Sequence, residues 1–190
     1  MGYFLDIAGS FVIGSIVVLI LLIINLNIIS SSRENLNTNI AQRNLSTIIE
    51  VIEYDLFKIG YRVKGSKIEI ADSNEIKFYT DLDNNGARDS IHYYLGNVSD
   101  YSSTQNPLDL PLYRVKNDET QKTEFSVVNF NLTYSDSIGN TIDYALLKSQ
   151  ASRNIIKTIN VKLSVESTEY IDSVYQNSKW QKKITPRNLR

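Results

Sequence analysis

The chain of 190 residues contains no cysteine, a single histidine and three prolines. Without cysteine there are no disulfides, no thiolate metal ligands and no thiol catalysis. The single histidine, His92, argues against a Ser-His hydrolase or a multi-histidine zinc site. No proline precedes Pro107, so nothing in the first half of the chain forces a helix to stop.

Neither sign of charge dominates, because 20 Lys and Arg stand against 21 Asp and Glu. A nucleic-acid-binding surface needs a basic excess, so we expect no nucleic-acid binding. The sequence also lacks a glycine-rich phosphate loop and a nucleophile elbow. Three neighbouring acids, Glu50, Glu53 and Asp55, fit a solvated helix face or contacts between subunits better than a catalytic group. We therefore expect no enzymatic activity.

A long hydrophobic run lies near the N-terminus. No charged residue occurs from Ile7 to Ser32, and IAGSFVIGSIVVLILLII is apolar or small throughout. A helix crosses the hydrocarbon core with about 20 residues, so residues 7–29 predict a transmembrane segment in contact with lipid, after a short N-terminal segment, 1–6. A cleaved signal would have a basic start and a shorter apolar core. A buried helix of this length would need more chain around it.

Residues 30–60 continue the helix in amphipathic form. Apolar residues recur at steps of three to five positions, which excludes strand alternation. They are Leu36, Ile40, Leu45, Ile48, Ile49, Ile52, Leu56 and Ile59. Gly60 is the predicted C-terminal cap. The prediction is one helix of about 50 residues, roughly 75 Å long, with its first half in lipid.

Residues 61–190 are predicted to form an antiparallel β-sheet domain. Short runs rich in Ile, Val, Tyr and Phe predict strands at 67–71, 75–80, 90–95, 112–116, 125–135, 155–165 and about 180–184, with loops at 97–110 and 117–123. In the run 155–165, the odd-numbered residues from Ile155 to Val165 share one face, which the amphipathic half of the helix would cover. The predicted fold class is therefore α+β, a long helix packed on an antiparallel sheet.

An acidic loop at residues 81–89 has the oxygen spacing of a calcium loop, with Gly86 at its sharp turn. The ligands would be the side chains of Asp81, Asp83, Asn85 and Asp89 and the backbone carbonyl of Ala87. His92 stands where an EF-hand has its bidentate Glu, and strands replace the flanking helices. Two interpretations stay open, weak calcium binding and a polar hairpin turn, because Asn-Gly between strands is a strong hairpin signal.

The order of these segments resembles the type IV pilin-like family, which includes the minor pseudopilins of type II secretion. VIEYDLFKIGYRV is similar to the family's helix end, and FYTDLDNNGARDSIHYYL, FNLTYSDSIGN, IIKTINVKLSV and TPRNL are similar to parts of PilW-like minor pilins and J-type pseudopilins. The resemblance implies a structural subunit of a type IV pilus or type II secretion-type filament. It also implies a single-pass protein of the bacterial inner membrane with an extracytoplasmic C-terminal domain.

The resemblance assigns processing and assembly roles to the first residues. Gly2 and Tyr3 match the glycine before the family's cleavage site and the hydrophobic first mature residue. Asp6 then stands at the fourth mature position, whereas the family carries Glu at the fifth. Its carboxylate would pair with the amine of a neighbouring subunit or lie in water before the span. Four small residues would let neighbouring pilin-like helices approach closely: Gly9, Ser10, Gly14 and Ser15.

A second function fits the same residues, a single-pass membrane-anchored binding or adhesion module that does not polymerise. Its domain would also be extracytoplasmic. Arg33, the basic residue nearest the span, lies on its C-terminal side, so the positive-inside rule taken alone favours the opposite orientation. The predicted orientation therefore follows from the family resemblance and not from charge.

Overall fold

The structure is a computed structural model, and it describes residues 2–100, 104, 106–120, 122–167, 170 and 175–189. Met1, Arg190 and parts of the predicted loops 97–110 and 117–123 lie outside these residues. Within these residues the α-helices are α1 (Gly2–Phe57) and α2 (Gln150–Asn154), and there are eight strands. The strands are β1 (Ile68–Ala71), β2 (Glu75–Thr80), β3 (Asp89–Leu95), β4 (Leu110–Lys116), β5 (Lys122–Val127), β6 (Asn129–Ser135), β7 (Thr158–Glu166) and β8 (Asn177–Ile184).

The first helix runs without a break from Gly2 to Phe57, as the absence of proline predicts. Residues 2–6 are helical too, so they continue the helix that the sequence predicts from Ile7. The helix ends just before Gly60, whose φ of +73° is accessible to glycine without strain. The backbone N–H of Gly60 donates to the carbonyl of Tyr79, which ties the helix end to β2.

The strands form two antiparallel sheets, and not the one sheet that the sequence predicts. The first has the order β1-β2-β3-β4-β5 and the second β6-β7-β8. The run 125–135, predicted as one strand, is divided between them. The buried positions change from odd to even numbers at the break. Val127 is buried before it, and Phe130 and Leu132 are buried after it. One flat strand cannot bury both sets, since successive side chains alternate between faces.

The run predicted at 155–165 begins as a strand only at Thr158. Ser149 caps α2 by accepting a hydrogen bond from the N–H of Ser152, and Ile155 ends this helix. Ile155 is consequently half exposed while Ile156 is fully buried, the reverse of the predicted phase. From Ile159 to Val165 the predicted phase is correct, because the odd-numbered side chains are all buried.

The core lies between the C-terminal part of α1 and both sheets, with α1 packed mainly on β7 and β8. Among the side chains of α1 that the structure describes, the buried ones are Asn37, Ala41, Leu45, Ile48, Ile52, Asp55 and Leu56. Leu36 and Ile40, predicted on the packed face, are instead 59% and 50% exposed. They lie one position before Asn37 and Ala41, about 100° around the helix, so they point away from the sheets.

Candidate functional site

The first half of α1 exposes apolar side chains on every side. The exposed large hydrophobics include Tyr3, Phe4 and Phe11 and then nearly every aliphatic residue to Ile29. None of the most apolar 18-residue window is buried, and the helix is long and apolar enough to cross a membrane. Residues 7–29 span about 35 Å at the helical rise, against roughly 30 Å of hydrocarbon. The predicted transmembrane segment is therefore present as an uncovered apolar helix.

Small residues form a shallow groove near the start of this helix. Ser10 and Gly14 lie four residues apart and so share one face. No atom lies within 4 Å of a Cβ built at Gly9 or Gly14, so both positions are open. The Ser10 hydroxyl donates to the carbonyl of Asp6 and the Ser15 hydroxyl donates to the carbonyl of Val12, both at 2.8 Å. Both hydroxyls are thus satisfied within the helix, and the groove offers close approach to another backbone.

The predicted processing residues Gly2, Tyr3 and Asp6 all lie in the first turns of α1 and are exposed. Tyr3 and Asp6 line one concave surface with Ile7, Ser10 and Phe11. The structure therefore brings Asp6 next to the small-residue groove. A partner for the Asp6 side chain would have to come from outside the described part of this chain or from a neighbouring molecule.

The acidic loop joins β2 to β3, which pair antiparallel with Thr80 opposite Asp89. The two strands form an antiparallel hairpin, but residues 81–88 make a connection much longer than the two-residue turn that Asn-Gly favours. Three of the predicted ligands meet, since one carboxylate oxygen each from Asp81, Asp83 and Asp89 lies within 4.8 Å of the others. The remaining two predicted ligands contact each other, because the N–H of Ala87 donates to Oδ1 of Asn85 at 2.6 Å.

The two terminal aspartates of the loop are buried. Asp89 accepts hydrogen bonds from Asn117 Nδ2 and from the N–H of Leu82, each at 2.8 Å. Burial acts to raise the pKa of Asp89, but these hydrogen bonds and the charge of Lys116 outweigh it, so the pKa lies below its ordinary value. Asp89 is therefore held as a carboxylate.

Asp81 is 1% exposed. Its Oδ2 accepts the N–H of Gly86 and lies 3.1 Å from Nη1 of Arg62. Its Oδ1 is buried and has no hydrogen-bond partner. A buried carboxylate oxygen without a hydrogen-bond partner is costly, so this oxygen is available to an additional ligand such as a water molecule or a cation.

The loop is also tied to the end of α1. Lys58 donates from Nζ to the carbonyl of Leu82 at 3.0 Å, and the N–H of Asp81 donates to the carbonyl of Tyr61 at 2.9 Å. His92 lies away from the loop ligands and pairs with Glu75 at 2.8 Å. The position of the missing EF-hand glutamate is thus occupied by a side chain engaged elsewhere.

One of the three helix acids is not on a solvated face. Asp55 is fully buried and accepts hydrogen bonds from Arg114 and from the hydroxyl of Tyr93. Burial and the Asp55 charge raise the pKa of Tyr93 well above its ordinary value, and the hydrogen bond to Asp55 raises that of Arg114. Helical spacing could have predicted the burial of Asp55. This residue lies three positions after Ile52 and seven after Ile48, so it shares their buried face.

Comparisons with protein-family models, with curated proteins and with solved structures find no match to this chain.

Proposed function

We propose that this chain is a structural, non-enzymatic, pilin-like subunit, held in a membrane by the first half of α1 and assembled with other subunits through the same helix. One observation carries the proposal. A single unbroken helix exposes an apolar surface on all sides in its first half and supplies the core of the sheet domain in its second half. The sheet domain is thereby rigidly coupled to the membrane helix.

The apolar surface of α1 needs a covering partner. A helix that is hydrophobic all round is stable in lipid or among other helices, and not in water. Lipid is the partner before assembly and neighbouring subunits are the partner after it. The groove at Ser10 and Gly14 gives such neighbours a place of close contact, where packing and not hydrophobicity stabilises helix pairs in lipid.

The exposed face of α1 continues beyond the span. Leu36 and Ile40 are 59% and 50% exposed although they belong to the amphipathic half. They extend an apolar strip from the membrane helix toward the sheet domain. In a filament, this strip would contact the helix of a neighbouring subunit.

The machine we propose is a type IV pilus or a type II secretion-type filament. In this setting the protein is a single-pass protein of the bacterial inner membrane with its sheet domain on the extracytoplasmic side. The support is the order of helix and antiparallel strands, together with the segments that resemble minor pilins. A membrane-anchored module that never polymerises is the alternative, and the experiment below separates the two.

The test expresses the full chain in a bacterium that assembles type IV pili and combines two readouts, cross-linking in intact membranes and mass spectrometry of the mature N-terminus. We expect cleavage between Gly2 and Tyr3, methylation of Tyr3 and cross-linked multimers. Gly14→Leu, which fills the groove, should insert in the membrane but lose the multimers. Ala8→Leu adds the same kind of bulk on another face of the helix and serves as the matched control.

Two results would contradict the proposal. An uncleaved N-terminus together with monomers at every expression level would support the anchored module. Equal cross-linking of Gly14→Leu, Ala8→Leu and the unaltered chain would remove the groove from the assembly interface.

A further inference from the structure

We propose that residues 81–89, the acidic loop between β2 and β3, bind Ca²⁺. This site is independent of the filament role, since it lies in the sheet domain and not on the membrane helix. Three carboxylates converge there, from Asp81, Asp83 and Asp89. Convergent acids alone are common on protein surfaces, so the proposal depends on a second observation.

That observation is Oδ1 of Asp81. The side chain is 1% exposed and its Oδ1 is buried without a hydrogen-bond partner, while the other oxygen is held by Gly86 and Arg62. Native proteins pair almost every buried polar atom, so an unpaired carboxylate oxygen calls for a bound ion or water. Asp81 also belongs to the convergent group, and a cation bound among the three aspartates would give its unpaired oxygen a partner.

The chemistry of the ligands selects the cation. All the candidate metal-ligating atoms in the loop are oxygens, which suits a hard cation and not zinc. Two oxygens each about 2.4 Å from a Ca²⁺ ion lie at most about 4.8 Å apart, and the three carboxylates satisfy this limit. Mg²⁺ has shorter bonds and demands near-ideal octahedral geometry, which an irregular loop joining two strands supplies less readily.

The charge around the loop sets the expected affinity. Arg62 pairs with Asp81, Lys58 donates to the carbonyl of Leu82, and Arg88 belongs to the loop itself. These cations offset the three carboxylates, which weakens the attraction for Ca²⁺. The loop also lacks the bidentate Glu of an EF-hand, so we expect a dissociation constant of about 10⁻⁴ to 10⁻³ M, as in extracellular calcium modules.

Binding at this loop would act on the helix end. The loop contacts residues after α1 through Lys58, Tyr61 and Arg62. A cation that fixes the three aspartates would therefore also fix the junction between the helix and β2. This coupling gives the test a second readout, the thermal stability of the whole domain.

The test titrates CaCl₂ into chelator-treated full chain in detergent micelles, with calorimetric binding and the melting temperature as readouts. Asp83→Asn removes one carboxylate at an exposed position and should weaken binding at least tenfold. Asp136→Asn is the matched control, because Asp136 also accepts backbone N–H groups in an exposed turn, from Ile138 and Asn140. Arg62→Gln removes the competing cation and should tighten binding severalfold.

We expect one Ca²⁺ per chain and a rise in melting temperature with the unaltered chain and with Asp136→Asn. Absence of binding at about 10 mM Ca²⁺, ten times the weakest expected constant, would overturn the proposal, as would equal binding by Asp83→Asn and Asp136→Asn. An equal effect of Mg²⁺ would overturn the assignment to calcium. If Asp83→Asn does not fold, Arg62→Gln decides, because an unchanged affinity in that variant contradicts a cation among these aspartates.

Discussion

Arg114 on β4 donates from Nε to Oδ2 of Asp55, in the last turn of α1, at 2.6 Å, and from Nη2 to Oδ1 at 3.2 Å. The hydroxyl of Tyr93 on β3 donates to the same Oδ2 at 2.6 Å. The backbone of the helix lies closest to β7 and β8, and this polar cluster ties it to the other sheet as well. Both sheets are thereby fastened to one helix.

Removal of the Asp55 carboxylate should be strongly destabilising. In Asp55→Ala, Arg114 and the buried hydroxyl of Tyr93 lose their shared partner. Removing one partner of a fully buried pair costs about 3–5 kcal/mol, and because the Arg114 side chain is 19% exposed, we expect the lower end of this range. The free energy of unfolding can be measured by guanidinium denaturation of the full chain in detergent micelles. The fluorescence of Trp180, the one tryptophan of the chain, reports on the sheet domain.

Glu53→Ala provides the matched control, two residues earlier on α1. Glu53 pairs with Lys182 at 2.7 Å, but both side chains are partly exposed, so its loss should cost about 0–1 kcal/mol. A triple change, Asp55→Leu with Arg114→Met and Tyr93→Phe, should recover most of the stability, because neither a charge nor the Tyr93 hydroxyl is then left without its partner. Equal costs for Asp55→Ala and Glu53→Ala would show that the buried pair is not important for the fold.

The same cluster predicts a loss of stability at alkaline pH. Burial and the charge of Asp55 raise the pKa of Tyr93 well above its ordinary value. A group with a raised pKa in the folded state contributes stability below its unfolded pKa, about 10 for tyrosine, and loses it as the pH rises further. The advantage of the unaltered chain over Tyr93→Phe should therefore be constant at neutral pH and shrink above about pH 10. Denaturation curves at a series of pH values check this, and a constant difference would contradict it.

Local signals in the sequence predict the helices and strands well, whereas contacts between distant segments decide which of their side chains are buried. The helix end at Gly60 and the bounds of β2 follow from cap chemistry and alternation, which neighbouring residues determine. Leu36 and Ile40 fit the helical period as well as Ala41 does, and only the position of the sheets decides which of them is buried.

The candidate loop shows the same division. The spacing of oxygens predicts the convergence of Asp81, Asp83 and Asp89, since a hairpin brings its two ends together. The spacing does not predict the partners of Asp89 and Asp81. Asn117 and Arg62 lie outside the loop, and it is the three-dimensional fold that brings them to these carboxylates.

Gly60→Ala should be more destabilising than Gly65→Ala. Both glycines have positive φ, +73° and +89°, so each substitution carries the strain of an L-residue in that conformation. A Cβ at Gly60 would also lie 2.7 Å from Cδ of Lys67, whereas one at Gly65 meets no atom within 4 Å. We expect about 1–2 kcal/mol for Gly65→Ala from the left-handed backbone alone and a larger loss for Gly60→Ala. Equal losses would mean that Lys67 moves aside freely.

Side chains on the two faces of the amphipathic half of α1 should separate folding from assembly. Ile52 is 1% exposed in the core, and Ile52→Ala should lower the free energy of unfolding by about 2–5 kcal/mol through lost packing. Leu36→Ala and Ile40→Ala remove side chains that are mostly exposed in the monomer, so their unfolding curves should stay within about 0.5 kcal/mol of the unaltered chain.

Leu36 and Ile40 should matter for assembly in membranes, although they matter little for the free energy of unfolding. If Leu36 and Ile40 contact a neighbouring helix, the double change Leu36→Ala with Ile40→Ala removes apolar area from that contact. It should reduce cross-linked multimers without a change in monomer stability. Gln42→Ala, an exposed position on another face of the same half of α1, gives the control for a substitution that removes no apolar area. Loss of multimers with Gln42→Ala would place the interface elsewhere on the helix. Full retention of multimers in the double variant would do the same, because an apolar contact must weaken when its side chains are shortened.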